Sequence, residues 1–411
     1  MSSGTDFRFL TLKDIVTKGK TVFVRVDMNC PLDPSTMKIM DDTRIKTTRD
    51  TLKSLEDAKV VVGSHQGRPG DEDFTSLEAH AKLLQNHVRQ RVKFVEDTIG
   101  PEASSEIKNL KVGEILVLDN LRLCSEENLS APPDILAKTI MVQRLARLLD
   151  VYVNDAFATA HRSQASIVGL PRVIQAVAGK LMGRELEALK QAYHSPQHPS
   201  TYVVGGAKAE DKLPVIENIL RTGKADRVLV GGVVANVFLR ASGIDFGQAE
   251  NRRLEKSSVL LEKARAILAK YGEKIVLPKD LALLRNGVRE DIPVGRELGE
   301  EIVRDIGKET SRQYAGIIKE SKTVVSSGPM GVFEEKGFDV GSRTVLEAMA
   351  DSTAFTVVGG GHMASYASIL GIDRRLSHVS TAGGAMLAFL AGEGLPGVTA
   401  LVEAASRQLI R

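Results

Sequence analysis

Tryptophan is absent from this 411-residue chain, cysteine occurs only at Cys30 and Cys124, and aromatic residues make up 4% of the whole. Two cysteines build no disulfide framework, so a fold resting on apolar cores in a reducing, cytoplasmic setting is expected. Both are read as small fillers rather than nucleophiles, since no base stands beside either in sequence. Aromatics this sparse, not interleaved with basic residues, weigh against a surface that stacks the bases of RNA or DNA. Charge is balanced too: 55 basic against 52 acidic residues leave a formal net charge of +3. Any basic site must therefore be local. No apolar run approaches the ~18 residues of a membrane span, and the N-terminal stretch MSSGTDFRFLTLKDI has no apolar core of signal-peptide length. No G-x-x-x-x-G-K-[ST] occurs, which excludes a P-loop protein. Nor does a G-x-G-x-x-G open the first strand–helix unit, which weighs against a dinucleotide enzyme. His194 and His198 have the spacing of a metal pair, but Pro196 between them makes a loop the better reading.

What is present is an ordinary globular composition, 43% apolar and 26% charged, in a chain long enough for two domains. Strand-like and helix-like segments alternate throughout. In the first half, strands are expected at 22–26, 60–62, 92–95, 115–118 and 151–153. Helices are expected over 43–55, over 76–88 after a capping Ser76, and before Asp150. A helix over 177–193, striped by Met182, Leu186, Leu189 and Tyr193, ends at the prolines of HSPQHPS and reads as a bridge. The second half repeats the pattern, with strands at 202–204, 228–230, 275–277, 323–325, 355–358 and 379–380. Pro214 fits the first turn of the helix after Gly206. The tail after Leu395 reads as neither strand nor long helix. The expected fold is α/β: two Rossmann-like, doubly wound parallel-sheet domains joined by a helical hinge. The expected boundaries are 1–178 with 394–411, a hinge over 179–200, and 201–393.

In open α/β sheets ligands bind at the carboxyl ends of the strands, and there the chemistry-bearing residues gather. In the first half Asp27 and Asn29, Arg44, His65 and Arg68, Arg122, and Arg162 each follow a strand or open the next helix. Gathered at one sheet edge, the arginines would hold a small, multiply charged anion, because a planar guanidinium grips phosphate or carboxylate with two donors. In the second half, glycine pairs follow strands at 205–206, 231–232, 328–331, 359–361 and 383–384. Five such turns predict backbone lying close to a ligand. The stretch TYVVGGAKAEDKLP adds Lys208 and Lys212 to a strand–glycine–helix turn suited to phosphate. Asp211 in the same turn is either a metal ligand or a helix-start anion.

Taken in order, RVDMNCPL, DDTRI, SHQGRP, VNDAFATAHR, GGAKAEDKLPVIENIL, SGPMGVFE, VVGGGH, SHVSTAGGA and LPGVTAL resemble the phosphoglycerate kinase family from about Thr21 to Leu401. The resemblance implies reversible, Mg²⁺-dependent phosphoryl transfer between 1,3-bisphosphoglycerate with ADP and 3-phosphoglycerate with ATP, in glycolysis and gluconeogenesis. It assigns Asp27, Asn29, Arg44, His65, Arg68, Arg122 and Arg162 to the phosphoglycerate, with Arg44 stabilising the transferring group. It sets Lys208 and Lys212 on the nucleotide phosphates, Glu334 on the ribose, and Gly206, Gly231, Pro329, Gly359, Gly360, Gly361 and His362 around the nucleotide. Partners are these small molecules alone, with neither nucleic acid nor membrane, and the assembly is a monomer or homodimer.

Several positions depart from the usual pattern. Ser327 stands where Asn is common, His362 and Met363 where Asp and a hydroxyl residue are common, and Ala382 for a glycine. SSGP and GGGH resemble the archaeal branch. With His362 in place of an acid, Asp211 and the nucleotide itself are left to hold Mg²⁺. Two other functions stay open. A nicotinamide-dependent oxidoreductase suits the strand order but lacks the fingerprint. A catalytically silent nucleotide-binding homologue is suggested only by Ser327 and His362.

Overall fold

In a computed structural model, which describes residues 8–255, 258–296 and 298–409, each half of the chain is built on a six-stranded parallel sheet. Contacts divide the chain into one unit of Met1–Leu186 with Gly394–Arg411 and a second of Glu187–Glu393. The first division falls inside the helix Lys180–Leu189.

The first unit's strands are β1 (Thr21–Arg25), β2 (Lys59–Gly63), β3 (Arg91–Val95), β4 (Glu114–Leu118), β5 (Val151–Asn154) and β6 (Gln175–Ala178), ordered β3-β4-β2-β1-β5-β6. The central strands are apolar on both faces because helices cover both sides of a parallel sheet. Val22, Val24, Val60, Val62, Ile115, Val117, Val151 and Val153 face one fully buried core. That arrangement leaves the strand ends as the place where polar residues can gather.

Four local expectations are corrected in the first unit. The helix expected over 43–55 is two short helices, Thr43–Thr47 and Arg49–Lys53, broken at Thr48. The Thr48 hydroxyl donates to the Ile45 carbonyl at 2.7 Å, a local alternative to the helical ladder. The next helix starts at Glu78, not Ser76, and ends at Gln85. Ser76 Oγ still accepts from the Glu78 amide at 3.2 Å. Val177 opens no helix: it lies in β6, and the helix follows from Lys180, closing in a π-helical turn at Lys190–His194.

The fourth correction concerns the tail, which is a 14-residue helix, Pro396–Leu409. Val398, Leu401, Ala404 and Ala405 lie buried along it at helical spacing, and the Gly397 amide donates to the Ala160 carbonyl at 2.9 Å. The C-terminus is thus core material of the N-terminal unit. Leu401 has no solvent exposure, so Leu401→Ala is expected to cost roughly 2–5 kcal/mol, read as a lowered urea midpoint at unchanged slope.

The second unit's main sheet runs β15-β14-β13-β7-β8-β9, from β7 (Ser200–Val204), β8 (Arg227–Val230), β9 (Ile275–Val276), β13 (Thr323–Ser327), β14 (Phe355–Gly359) and β15 (His378–Val379). A three-stranded antiparallel sheet, β11-β10-β12, is added by β10 (Asp280–Arg285), β11 (Val288–Pro293) and β12 (Asp305–Ile306). The sequence reading missed it, although Asn286-Gly287 is the common hairpin dipeptide. Both residues have positive φ, 50° and 77°. The helix after β7 runs Ala209–Arg221, so Pro214 sits in its second turn rather than its first. Among the described residues no helix is long and apolar enough to cross a membrane.

Candidate active site

At the carboxyl edge of the first sheet, the loops after β1, β2, β4 and β5 bring the expected basic residues together. His65 is the hub. Its Nδ1 lies 3.4 Å from an Arg25 guanidinium nitrogen, and its Nε2 lies 3.2 Å from Arg162. Burial, with the charges of Arg25, Arg122, Arg162 and Arg44, holds its pKa well below the ordinary histidine value, so the ring is neutral. Arg44 donates to Asp27 Oδ2 at 2.5 Å, and the Asn29 side chain accepts from the Gly67 amide at 2.9 Å.

Arg122 is buried and bonds to the Gly67 carbonyl. Its pKa is pushed down to about 10, first by burial, then by Arg162, Arg25 and Arg68. Arg68 itself is exposed, yet its charge is felt at both Arg122 and Arg162. The carboxylates felt by Arg122 and Arg162 are Asp27 and Glu127. Five guanidiniums against two carboxylates leave an excess of three positive charges at this edge.

Arg25 and Glu127 have no role assigned from the sequence. Arg25 ends an apolar strand with no solvent exposure and pairs with the equally buried Glu127 at 3.6 Å. The one available signal was an arginine in the last position of VFVR, just ahead of the pocket. Cys30 is buried, and burial pushes its thiol up to about 12. Burial likewise raises the pKa of half-buried Cys124. Both are inert.

In the second unit, the turns after β7, β8, β13 and β14 line a cleft of about 410 Å³. Gly206, Lys208, Asp211, Lys212, Pro329, Glu334, Gly360, Gly361 and His362 all line it. Gly231 and Gly359 do not; a Cβ on either would run into the side chain of Met330 or Met386. The glycine turns therefore have two separate jobs. A Cβ on Gly205 would come within 2.2 Å of the Pro329 carbonyl oxygen. The adjoining turn is knitted by Gly206 N to Pro329 O at 2.8 Å and Val233 N to Gly206 O at 3.1 Å. There glycine lets one turn pack on another. Gly360, at φ +95°, instead precedes the helix Gly361–Ile369 with open space beside it, so that helix start faces the cleft bare.

The two lysines differ. Lys208 is exposed, in the residue before the helix Ala209–Arg221. Lys212 is buried, donating to Ser327 Oγ at 2.6 Å, and burial brings its pKa down to about 8. Ser327, the departure noted in the sequence, is thus the lysine's partner. His362 is exposed, its ring 6.1 Å from that of Phe333. Among the described residues no three acidic, histidine or cysteine side chains converge as a metal cage.

Sequence reasoning also missed Arg289, which carries the loop bearing Glu334. It donates to the Gly337 carbonyl at 2.7 Å and to the buried carboxylate of Asp305 at 2.9 Å. Asp305 in turn accepts from the Gly341 amide at 3.0 Å. No motif announces this clamp, because its parts come from the added antiparallel sheet.

An anion pocket and a phosphate-shaped cleft on two parallel-sheet units have clear relatives. The sequence pattern of the family described as Phosphoglycerate kinase matches residues 12–393. The chain belongs to the phosphoglycerate kinase family. It is 44% identical to the phosphoglycerate kinase of Methanothermus fervidus over 405 residues, 98% of each chain. It is 44% identical to that of Pyrococcus horikoshii over 95% of this chain and 96% of the relative. The crystal structure of phosphoglycerate kinase from Pyrococcus horikoshii superposes with a TM-score of 0.87, at 43% identity, over 97% of this chain and 100% of that one. The phosphoglycerate kinase structure from Coxiella burnetii superposes at 0.82 and 34% identity, with the same coverage. The two-unit α/β fold read from the sequence is the fold of this family.

Proposed function

We propose that the protein catalyses reversible phosphoryl transfer between the acyl phosphate of 1,3-bisphosphoglycerate and ADP, yielding 3-phosphoglycerate and ATP. It is a phosphotransferase of the phosphoglycerate kinase family, and the observation that carries the substrate assignment is the charge balance of the first unit. An excess of three positive charges suits a small molecule with one carboxylate and one doubly charged phosphate. Neutral His65 adds a hydrogen bond without a further charge. Each charge-assisted bond contributes roughly 1.5–3 kcal/mol, so several suffice for a ligand with little apolar surface.

The second unit takes the nucleotide. The bare start of the helix Gly361–Ile369 and the lysines receive its phosphates, and Glu334 reaches the ribose. Transfer is in line and direct: an ADP β-phosphate oxygen bonds to phosphorus as the acyl oxygen leaves as carboxylate, with no phosphoenzyme. Such chemistry asks the protein mainly for positioning and charge neutralisation. Closure of the two domains brings the ligands together and excludes water. Mg²⁺ fits a cleft lined by the exposed carboxylates of Asp211 and Glu334, because this ion is usually held by one or two carboxylates and the substrate phosphates. Asp211, exposed in the first turn of its helix, would hold it, and the ion when bound neutralises nucleotide phosphate charge.

The test is a coupled assay for ATP-dependent phosphorylation of 3-phosphoglycerate, with and without Mg²⁺. Turnover that requires the ion is expected. A folded sample that binds ATP but turns nothing over would leave a silent nucleotide-binding homologue in its place.

The Lys212 site makes a second prediction. Its ammonium loses a proton as pH rises past about 8, and with it a charge on the nucleotide phosphates. ATP affinity, followed by titration calorimetry, should therefore fall as pH is raised from neutrality through this range. In Lys212→Met the curve should be flat and lower throughout. An equal pH dependence in both proteins would detach the effect from Lys212.

A further inference from the structure

The ring of His65 is faced by hydrogen-bond donors on both sides, which a neutral imidazole cannot satisfy. One ring nitrogen accepts and the other carries the proton. Here Nδ1 faces Arg25 at 3.4 Å and Nε2 faces Arg162 at 3.2 Å. One of the two contacts must therefore be donor against donor.

The two arginines are not equally free to yield. Arg25 has no solvent exposure, and every nitrogen of its guanidinium is engaged. Its Nε donates to Ser166 Oγ at 2.8 Å, one terminal nitrogen donates to the Val26 carbonyl at 2.5 Å, and the other pairs with Glu127 at 3.6 Å. Glu127, equally buried, accepts from the Ser166 amide at 2.8 Å and from the Ser166 hydroxyl. Arg162 is partly exposed and can turn. The immovable partner decides the ring: Nδ1 accepts from Arg25, and the proton lies on Nε2.

We infer that Glu127 is a positioning residue for the phosphoglycerate pocket, locking Arg25 through Ser166 so that His65 is held as the Nε2–H tautomer. The Nε2–H and Arg162 then form a pair of neighbouring donors, 3.2 Å apart, that one anionic oxygen can accept from together. Glu127 touches no ligand; it balances the buried charge of Arg25 and fixes its angle. A buried ion pair gives little net stability but can specify geometry. The substrate part of this inference rests on the function proposed above, whereas the tautomer part does not.

The experiment uses the full chain with ¹⁵N-labelled histidine. Long-range ¹H–¹⁵N spectra of the ligand-free protein report which ring nitrogen carries the proton, with the His65 signals assigned by their loss in His65→Gln. The wild type should show the Nε2–H pattern, and an Nδ1–H pattern overturns the inference outright. In Glu127→Gln the pattern should change to a mixture, and KM for 3-phosphoglycerate should rise about tenfold, as for outer-shell partners elsewhere. KM for ATP should be unchanged. An unaltered His65 pattern in a folded Glu127→Gln protein overturns the inference whatever its KM. Should that variant not fold, Ser166→Ala and the charge-free pair Arg25→Met with Glu127→Met take the same two readouts. Absence of any turnover in the wild type would remove the proposed function while the spectra still decide the tautomer.

Discussion

Arg44→Ala lowers kcat about 10²- to 10³-fold, the range found when a preorganised charge stabiliser is removed, and leaves the fold intact. The second half of that expectation comes from its surroundings. The Arg44 side chain is 44% exposed and makes one ion pair, with Asp27. The arginine side of the pair is open to water, which holds its worth to about 1 kcal/mol, and the buried Asp27 carboxylate keeps a bond from the Asn29 amide at 3.1 Å, so the urea midpoint falls only slightly. The first half follows from what Arg44 can do that its neighbours cannot. Arg25 and Arg122 are buried and bonded to backbone or carboxylate. They shape the pocket but cannot follow a phosphoryl group. Arg44 stands at the start of a five-residue helix with its head at the pocket's open side, held by a carboxylate that an incoming anion can replace. Steady-state kinetics with saturating 3-phosphoglycerate and ATP provide the check. A variant turning over at near-normal kcat would leave Arg44 a binding residue only.

The contrast between Arg44 and Arg25 also shows how far the sequence could be read. Arg44, Arg68, Arg122 and Arg162 follow strand ends or open a helix, and such positions are visible in one dimension once the strands are found. The strands were visible because parallel strands buried on both faces are short, unbroken apolar runs. Arg25 was not visible as a buried charge, because what buries it is remote. Its Nε partner, Ser166, is 141 positions away, and in a five-residue window an arginine reads as the polar end of a strand. The tail failed for a related reason. Half of the stripe of Val398, Leu401, Ala404 and Ala405 is alanine, and it stands behind a Pro-Gly pair, a weak periodic signal. It becomes decisive only when the tail packs beside Ala160 and β6. In the cleft the glycine turns are legible in the sequence, but their two roles are not. Nothing in the string separates Gly205, excluded from a side chain by the Pro329 carbonyl, from Gly360, which has open space beside it. Asn286-Gly287 signals the antiparallel sheet, but the alternating α/β pattern on either side masks it.

Lys208→Ala is expected to lower kcat by the same about 10²–10³-fold while stability stays level or rises slightly. The sign of the stability change separates Lys208 from Lys212. Lys208 is exposed at the start of the helix Ala209–Arg221, and among the described residues no carboxylate pairs with it. A cation at a helix N-terminus meets the positive end of the macrodipole, so folding gains nothing from this charge. A lysine kept where it opposes the helix is explained by an anion that arrives later. Lys212 is the reverse case: its stem is buried and its ammonium is tied to Ser327. Lys212→Ala therefore opens a cavity and strands a hydroxyl, and should lower Tm as well as ATP affinity. Measuring kcat, ATP affinity and Tm on both variants gives two distinct patterns. Lys208→Ala should lose catalysis with Tm unchanged or raised and ATP affinity changed only a few-fold, because one solvated contact is lost from a site built largely of backbone. A Tm drop in Lys208→Ala equal to that in Lys212→Ala would show that Lys208 supports the fold, and its assignment to the nucleotide phosphates would then have to be given up.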